Sequence, residues 1–260
     1  MPLQLGIGIV TYNRKNVAAE TLDRVRRHTK YPFTTIAVAD DGSTDDTMAM
    51  LQTHKVHAVT GLNMGIAWNK NRALFLLTEL LRTDIVILLE DDSFPERDSW
   101  ELEWMNSALR WGHVNLAGEW LREGFAGGAG TLDNPLRSSL ITANCAAFSR
   151  EALLFGGYFD PRFRGYGHEH VEHSSRLLRN GYGGVAEVSP DGSQRLLYWL
   201  IWGGIHVDDA PSHFNQEQVE SNLALAQELS LQFTYRAPWQ NEREMAQFRK
   251  EMRSVQPRVL

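Results

Sequence analysis

Five apolar residues, Ile85-Val86-Ile87-Leu88-Leu89, run without a break into three carboxylates, Glu90-Asp91-Asp92. An apolar run this short, with no polar alternation, predicts a strand buried on both faces. Three adjacent carboxylates at its end repel one another and call for a counter-charge. Other short apolar runs share the plan. Residues 5–10 end at Thr11-Tyr12-Asn13, residues 36–39 end at Asp40-Asp41-Gly42-Ser43, and residues 56–59 form a third. Helical patterns lie between them. One covers residues 16–28, and a second opens at Ser43 with Asp46 as a capping box and runs through Leu51. A third spans residues 65–82, with Leu74, Leu77 and Leu81 on one face. This alternation predicts an α/β fold: a mostly parallel, Rossmann-like central sheet with helices on both faces. Ligands of such sheets bind beyond the carboxyl ends of the strands. The polar clusters stand at those ends.

The second half is less regular. Residues 140–148 and 196–207 read as strands and residues 171–179 as a helix. The Gly-rich residues 124–130 read as a mobile loop. From Gln216 onward the pattern gives two amphipathic C-terminal helices around Ala237-Pro238. The 260 residues carry 26 Lys+Arg against 32 Asp+Glu, a net charge of −6, which argues against general nucleic-acid binding. One cysteine, Cys145, excludes an internal disulfide and a cysteine-based zinc site. The start lacks a secretory pattern, and the longest uncharged apolar run, residues 196–205, falls short of the roughly 20 residues of a membrane span. The expectation is a soluble, cytoplasmic protein with no transmembrane segment.

A divalent cation is the natural partner of Glu90-Asp91-Asp92, because Mg²⁺ and Mn²⁺ prefer oxygen ligands and bridge carboxylates to phosphates. The plain alternative is a solvated turn before Pro95. Asp40 or Asp41 could accept from a nucleobase N–H or a ribose hydroxyl. Asp45 and Asp46 favour a helix start.

Taken in order, these motifs resemble the nucleotide-sugar half of the family 2 glycosyltransferases, which have the GT-A fold. The series is Thr11-Tyr12-Asn13-Arg14, Val38-Ala39-Asp40-Asp41-Gly42-Ser43-Thr44-Asp45, Asn63-Met64-Gly65 with Lys70-Asn71, and Glu90-Asp91-Asp92. Downstream, Ala143 to Ala152, Gly156-Gly157-Tyr158-Phe159-Asp160 and Phe163 to Glu169 agree. Each motif alone is weak; their order carries the resemblance. It implies one GT-A domain over residues 1–215, with a nucleotide-sugar half at 1–95, an acceptor half at 96–215 and a helical extension at 216–260. The extension would cover the fold or join copies into a homo-oligomer. The resemblance also implies transfer of a sugar from a nucleoside diphosphate donor, UDP-linked in most of the family, to a hydroxyl acceptor, with Mn²⁺ or Mg²⁺. By position, Thr11, Tyr12, Asn13, Asp40 and Asp41 would hold the nucleoside, and Lys70 would lie near the diphosphate. Glu90, Asp91 and Asp92 replace the family's DxD motif, with Asp92 on the metal.

The acceptor hydroxyl must lose a proton, so a base is needed on the far side of the anomeric carbon. The family has Glu-Asp there, with the Asp as base; this chain has Glu169-His170. Either Glu169 or His170 takes the role, an imidazole being suited to it near neutral pH. Glu172 shares a helical face with Glu169 and would orient acceptor or base. His168 and His173 read as a polar helix start. A zinc-hydrolase reading fails, since the residue four after His168 is Glu172. His206 matches the late histidine that completes many GT-A metal shells; His213 and Asp208 compete for that place. Trp100, Trp104, Trp111, Trp199 and Trp202 read as core, and Trp120 as a sugar-stacking ring. Two other readings stay open. One is a non-catalytic nucleotide-sugar or glycan-binding protein. The other is a sugar-1-phosphate nucleotidyltransferase, which Thr11-Tyr12-Asn13-Arg14 disfavours because that class carries a Gly-rich basic loop there.

Overall fold

A computed structural model describes residues 2–208, 215–232 and 234–257. Strand β1 (Leu5–Thr11) pairs in parallel with β2 (Thr34–Asp40) and β4 (Ile85–Glu90), and β2 pairs in parallel with β3 (His57–Thr60). The register sets Thr11 opposite Asp40 and Val10 opposite Glu90, so the polar strand ends are level. Helices α1 (Lys15–His28), α2 (Thr47–Thr53) and α3 (Ile66–Phe75) connect these strands. After β4 come the short β5 (Ser93–Pro95), α4 (Trp100–Trp111) and β6 (His113–Leu116). Then follow β7 (Leu136–Ser138), β8 (Cys145–Ser149), α5 (Arg150–Gly156) and α6 (Glu169–Arg179). The strands β9 (Gly184–Val188), β10 (Gln194–Ile201) and β11 (Ile205–Val207) precede the helices α7 (Gln216–Leu229) and α8 (Glu242–Met252).

The large sheet runs β3-β2-β1-β4-β8-β6-β10-β7, with β9 also on β10. Strands β7, β8 and β9 run against the rest, so the sheet is mostly parallel. The apolar run of β4 is explained by its two faces. Ile85, Ile87 and Leu89 pack into a core with Trp100 and Trp104, while Val86 and Leu88 pack into another with Trp68, Leu74 and Leu77. Each such side chain, fully buried, stabilises by about 1.5–3 kcal/mol.

Several expectations are corrected. Ser43 does not cap α2; that helix starts at Thr47, and Asp45 accepts from the Thr47 amide at 3.0 Å. The helix expected to reach residue 82 turns into a π turn, Leu76–Leu80. Residues 139–144 are irregular, and only Cys145–Ser149 is strand. The run 196–207 is broken by Gly203 and Gly204, both at positive φ (56° and 66°), which return β11 onto β5 as a separate two-stranded ribbon. In the Gly-rich segment, Gly127 accepts from the Arg137 amide at 2.8 Å, and the Ala129 amide donates to the Asn134 carbonyl at 2.9 Å. No helix among the described residues is long and apolar enough to cross a membrane.

Candidate active site

The carboxyl edge of β1, β2 and β4 opens into a cleft of 440 Å³, lined among others by Thr11, Tyr12, Arg14, Asp41, Glu90, Asp91, Asp92, Asn144, Tyr166 and Gln218. Its floor is the acidic tip. The Thr11 hydroxyl donates to Asp91 Oδ2 at 2.6 Å, and Arg14 Nη1 lies 2.6 Å from Asp91 Oδ1 and 3.1 Å from Asp92 Oδ2. Burial, with Asp92 and Glu90 adding to it, pushes the Asp91 carboxyl up to about 7, although Arg14 and Thr11 pull the other way. The Thr21 hydroxyl of α1 donates to the Asp91 carbonyl and fixes the turn.

The β2 end is built differently. Asp41 accepts from the Met64 and Gly65 amides (3.0 and 2.8 Å) and from Arg72 (2.7 Å). Burial nonetheless raises its pKa. Gly65 is required here: its φ is +91°, and a Cβ would come 2.6 Å from the Gly165 amide nitrogen. Asp40 Oδ2 accepts from Thr60 (2.6 Å) and the Ser43 amide (3.1 Å), while its Oδ1 is buried without a partner. Asn13, at φ 52°, accepts from the Thr44 amide at 2.7 Å through its side chain and staples β1 to the β2 loop. Asn69 donates to the Ala39 and Thr11 carbonyls and joins the same two strand ends.

Lys70 stands one contact back from the cleft lining, behind Glu90. Its ammonium is buried between Glu90 Oε1 and Glu169 Oε1, 3.0 Å from each, and it does not line the cleft. Burial would lower the Lys70 pKa, but the two carboxylates outweigh it and raise it. Burial would likewise raise that of Glu169; Lys70 and His170 prevail and hold it well below the usual range. His170 Nδ1 is buried, 3.6 Å from Glu169 Oε1, while the side chain remains 21 % exposed. Solvent therefore reaches the imidazole elsewhere than at Nδ1.

Other sequence candidates have structural duties. Glu172 forms a two-point ion pair with Arg176 (2.8 and 3.0 Å), which leaves it unsuited to orienting a substrate. His173 is not part of a polar helix start: it is buried, bonded through Nε2 to the Gly157 carbonyl, with its ring 4.2 Å from that of Phe159. The His206 ring lies tilted against that of Phe94 (centroids 5.2 Å apart) and pairs with Asp208 (3.2 Å) and Glu96 (3.6 Å), and it makes no ion pair with Asp92. The Asp208 amide does reach the Asp92 carbonyl at 2.9 Å. His213 lies outside the described residues. Trp100 and Trp104 are core, Trp111 and Trp199 are half-buried, Trp202 is exposed, and Trp120 is 57 % exposed.

Glu251 was not legible as a site residue. From α8 it accepts from Trp68 Nε1 and Arg72 Nε, both at 3.0 Å, and buttresses the β2 side of the cleft. A glutamate in an amphipathic surface pattern gives no signal of that role.

The donor chemistry suits a hard cation: Glu90, Asp91 and Asp92 offer oxygen alone. Among the described residues, no three or more His, Cys, Asp or Glu side chains converge on one metal position. A cation here would take one or two carboxylates and complete its shell with substrate oxygens and water, as Mg²⁺ commonly does.

Comparison places this architecture. The fold is GT-A. It is similar to GalNAc-T7 solved with UDP, GalNAc and Mn²⁺ (TM-score 0.60, 13 % identity, covering 87 % of this chain and 48 % of that one). It is also similar to a Pyrobaculum calidifontis mannosyltransferase in complex with GDP-Man and Mn²⁺ (0.56, 20 %, 75 % and 56 %). A third is glucosyl-3-phosphoglycerate synthase from Mycobacterium tuberculosis with Mn²⁺, UDP and glucosyl-3-phosphoglycerate (0.52, 14 %, 88 % and 77 %). The chain spans about half the length of the first two. The sequence profile described as Glycosyl transferase family 2 matches residues 7–107, so the resemblance carried by the ordered motifs holds. No curated protein sequence matches the chain.

Proposed function

We propose that the protein is a metal-dependent, inverting glycosyltransferase that moves a sugar from a nucleoside diphosphate donor, UDP-linked, to a hydroxyl acceptor. The observation that carries this reading is the chain of contacts from the cleft wall to the candidate base: Glu90 to Lys70 to Glu169, with His170 beside it.

The nucleoside would lie over Thr11, Tyr12 and the β2 end, where Asp41 lines the cleft and the fully buried Asp40 stands behind it. Asp92 would hold the cation, and the Asp208 amide bonded to the Asp92 carbonyl brings the paired Asp208 and His206 to the same tip as candidate further ligands. When bound, that cation supplies charge stabilisation for the departing diphosphate. His170 takes the acceptor proton as the acceptor oxygen bonds to the anomeric carbon and the bond to the β-phosphate oxygen breaks. Glu169 favours the imidazolium so formed, in the way that a carboxylate orients a catalytic histidine. Lys70 keeps Glu169 ionised, so Glu169 is a poor proton acceptor itself and the role falls to the neighbouring His170.

The test is donor hydrolysis and transfer over a panel of acceptors, with wild type and His170→Ala. Wild-type turnover that falls about 10²–10⁴-fold in the variant supports the reading. Equal turnover removes His170. Donor binding without any turnover by the wild type favours the binding-protein reading, which the replacement of the family's Glu-Asp by Glu169-His170 motivates.

A further inference from the structure

The acidic tip already faces a cation, and it is the protein's own. Arg14 Nη1 serves carboxylates of two residues at once, 2.6 Å from Asp91 and 3.1 Å from Asp92. Its Nη2 is buried and bonded to nothing. The two fully buried arginines spend their forks fully, whereas Arg164 shares with Arg14 a buried terminal nitrogen without a partner. Arg72 serves Asp41, Glu251 and the Leu62 carbonyl, and Arg176 serves Glu172 and the carbonyls of Gly156 and Tyr158. Arg14 also has little to hold it: it occupies the N-cap position of α1, yet its side chain makes no cap bond, and it remains 19 % exposed on the cleft wall.

We propose that Arg14 is a gate on the acidic tip. It neutralises Asp91 and Asp92 while the donor is absent. When the donor enters, it yields Asp92 to the divalent cation and turns its unused fork onto the diphosphate, a geometry suited to guanidinium. This deepens the donor reading above and rests on it. Arg14 and the cation therefore compete for Asp92, and donor and cation bind synergistically, each raising the other's affinity by the same factor.

The experiment titrates Mn²⁺ into wild type, Arg14→Gln and Arg14→Lys without nucleotide, following free Mn²⁺ by electron paramagnetic resonance. It then repeats the titration with UDP and with GDP. Thermal melts establish that all three proteins are folded. Without nucleotide, Arg14→Gln is expected to bind Mn²⁺ about 10-fold more tightly than wild type. In the presence of Mn²⁺ it is expected to lose about 10-fold in nucleotide affinity, with Arg14→Lys between the two. Mn²⁺ binding by Arg14→Gln no tighter than by wild type overturns the gate. Failure of wild type to bind either nucleotide overturns the donor reading instead, and the nucleotide-free Mn²⁺ comparison still decides the gate.

Discussion

The two acidic strand ends differ in what answers their charge. At the end of β2, Asp41 is held by two backbone amides and by Arg72, itself locked to Glu251 of α8. At the end of β4, Asp91 and Asp92 are answered by the partly exposed Arg14, and Glu90 by Lys70. Backbone amides and a fully buried guanidinium cannot leave without unfolding the region. A partly exposed side chain can. The first end is built to keep a shape; under the gate proposed above, the second exchanges one positive charge for another.

Substitutions can break that contrast. The largest effect is expected at the reacting side of the β4 network: His170→Ala lowers transfer about 10²–10⁴-fold with little change in melting temperature. Arg72→Met strands Asp41 and Glu251 as buried charges and costs about 3–5 kcal/mol of stability by denaturant unfolding. Arg14→Gln is expected to cost less, because Asp91 keeps its Thr11 hydrogen bond and, with burial already pushing its carboxyl up to about 7, can take up a proton instead of staying a stranded charge. If Arg14→Gln proved as destabilising as Arg72→Met, the two ends would not differ as described.

A pH prediction comes from β6, where burial lowers the pKa of His113 to about 4 from an ordinary value of 6.5. The unfolded chain takes up that proton first as pH falls, so this site leaves stability untouched above about 6.5 and erodes it between about 6.5 and 4. His113→Asn should flatten the decline in unfolding free energy over that window by a few kcal/mol. An unchanged slope would remove His113 as its source. The smallest effect is expected at Asn13, where Asn13→Ala loosens the β1–β2 loop staple by about 1 kcal/mol.

The first half was legible because its signals are local. Apolar runs of strand length end in polar clusters, and parallel pairing at the observed register brings those ends level. The limits were tertiary. Nothing local told that Lys70 would be buried between Glu90 and Glu169, the latter ninety-nine residues on. Glu172 looked available until its partner Arg176, one helical turn further, took both carboxylate oxygens. The apolar run holding His206 hid a break, because only the backbone angles of Gly203 and Gly204 distinguish a continuing strand from a turn that carries β11 onto β5. Glu251 needed α8 to fold back onto β3 and α3 before it could meet Arg72 and Trp68.

The central claim is that the β4 tip receives a cation together with a nucleoside diphosphate. Calorimetric titration of UDP into wild type and Asp92→Ala, each with and without Mn²⁺, tests it most directly. The account predicts binding to wild type that strengthens with Mn²⁺, and an Asp92→Ala protein that stays folded but gains nothing from the metal. UDP binding that is the same in all four conditions, or no binding in any, would contradict it.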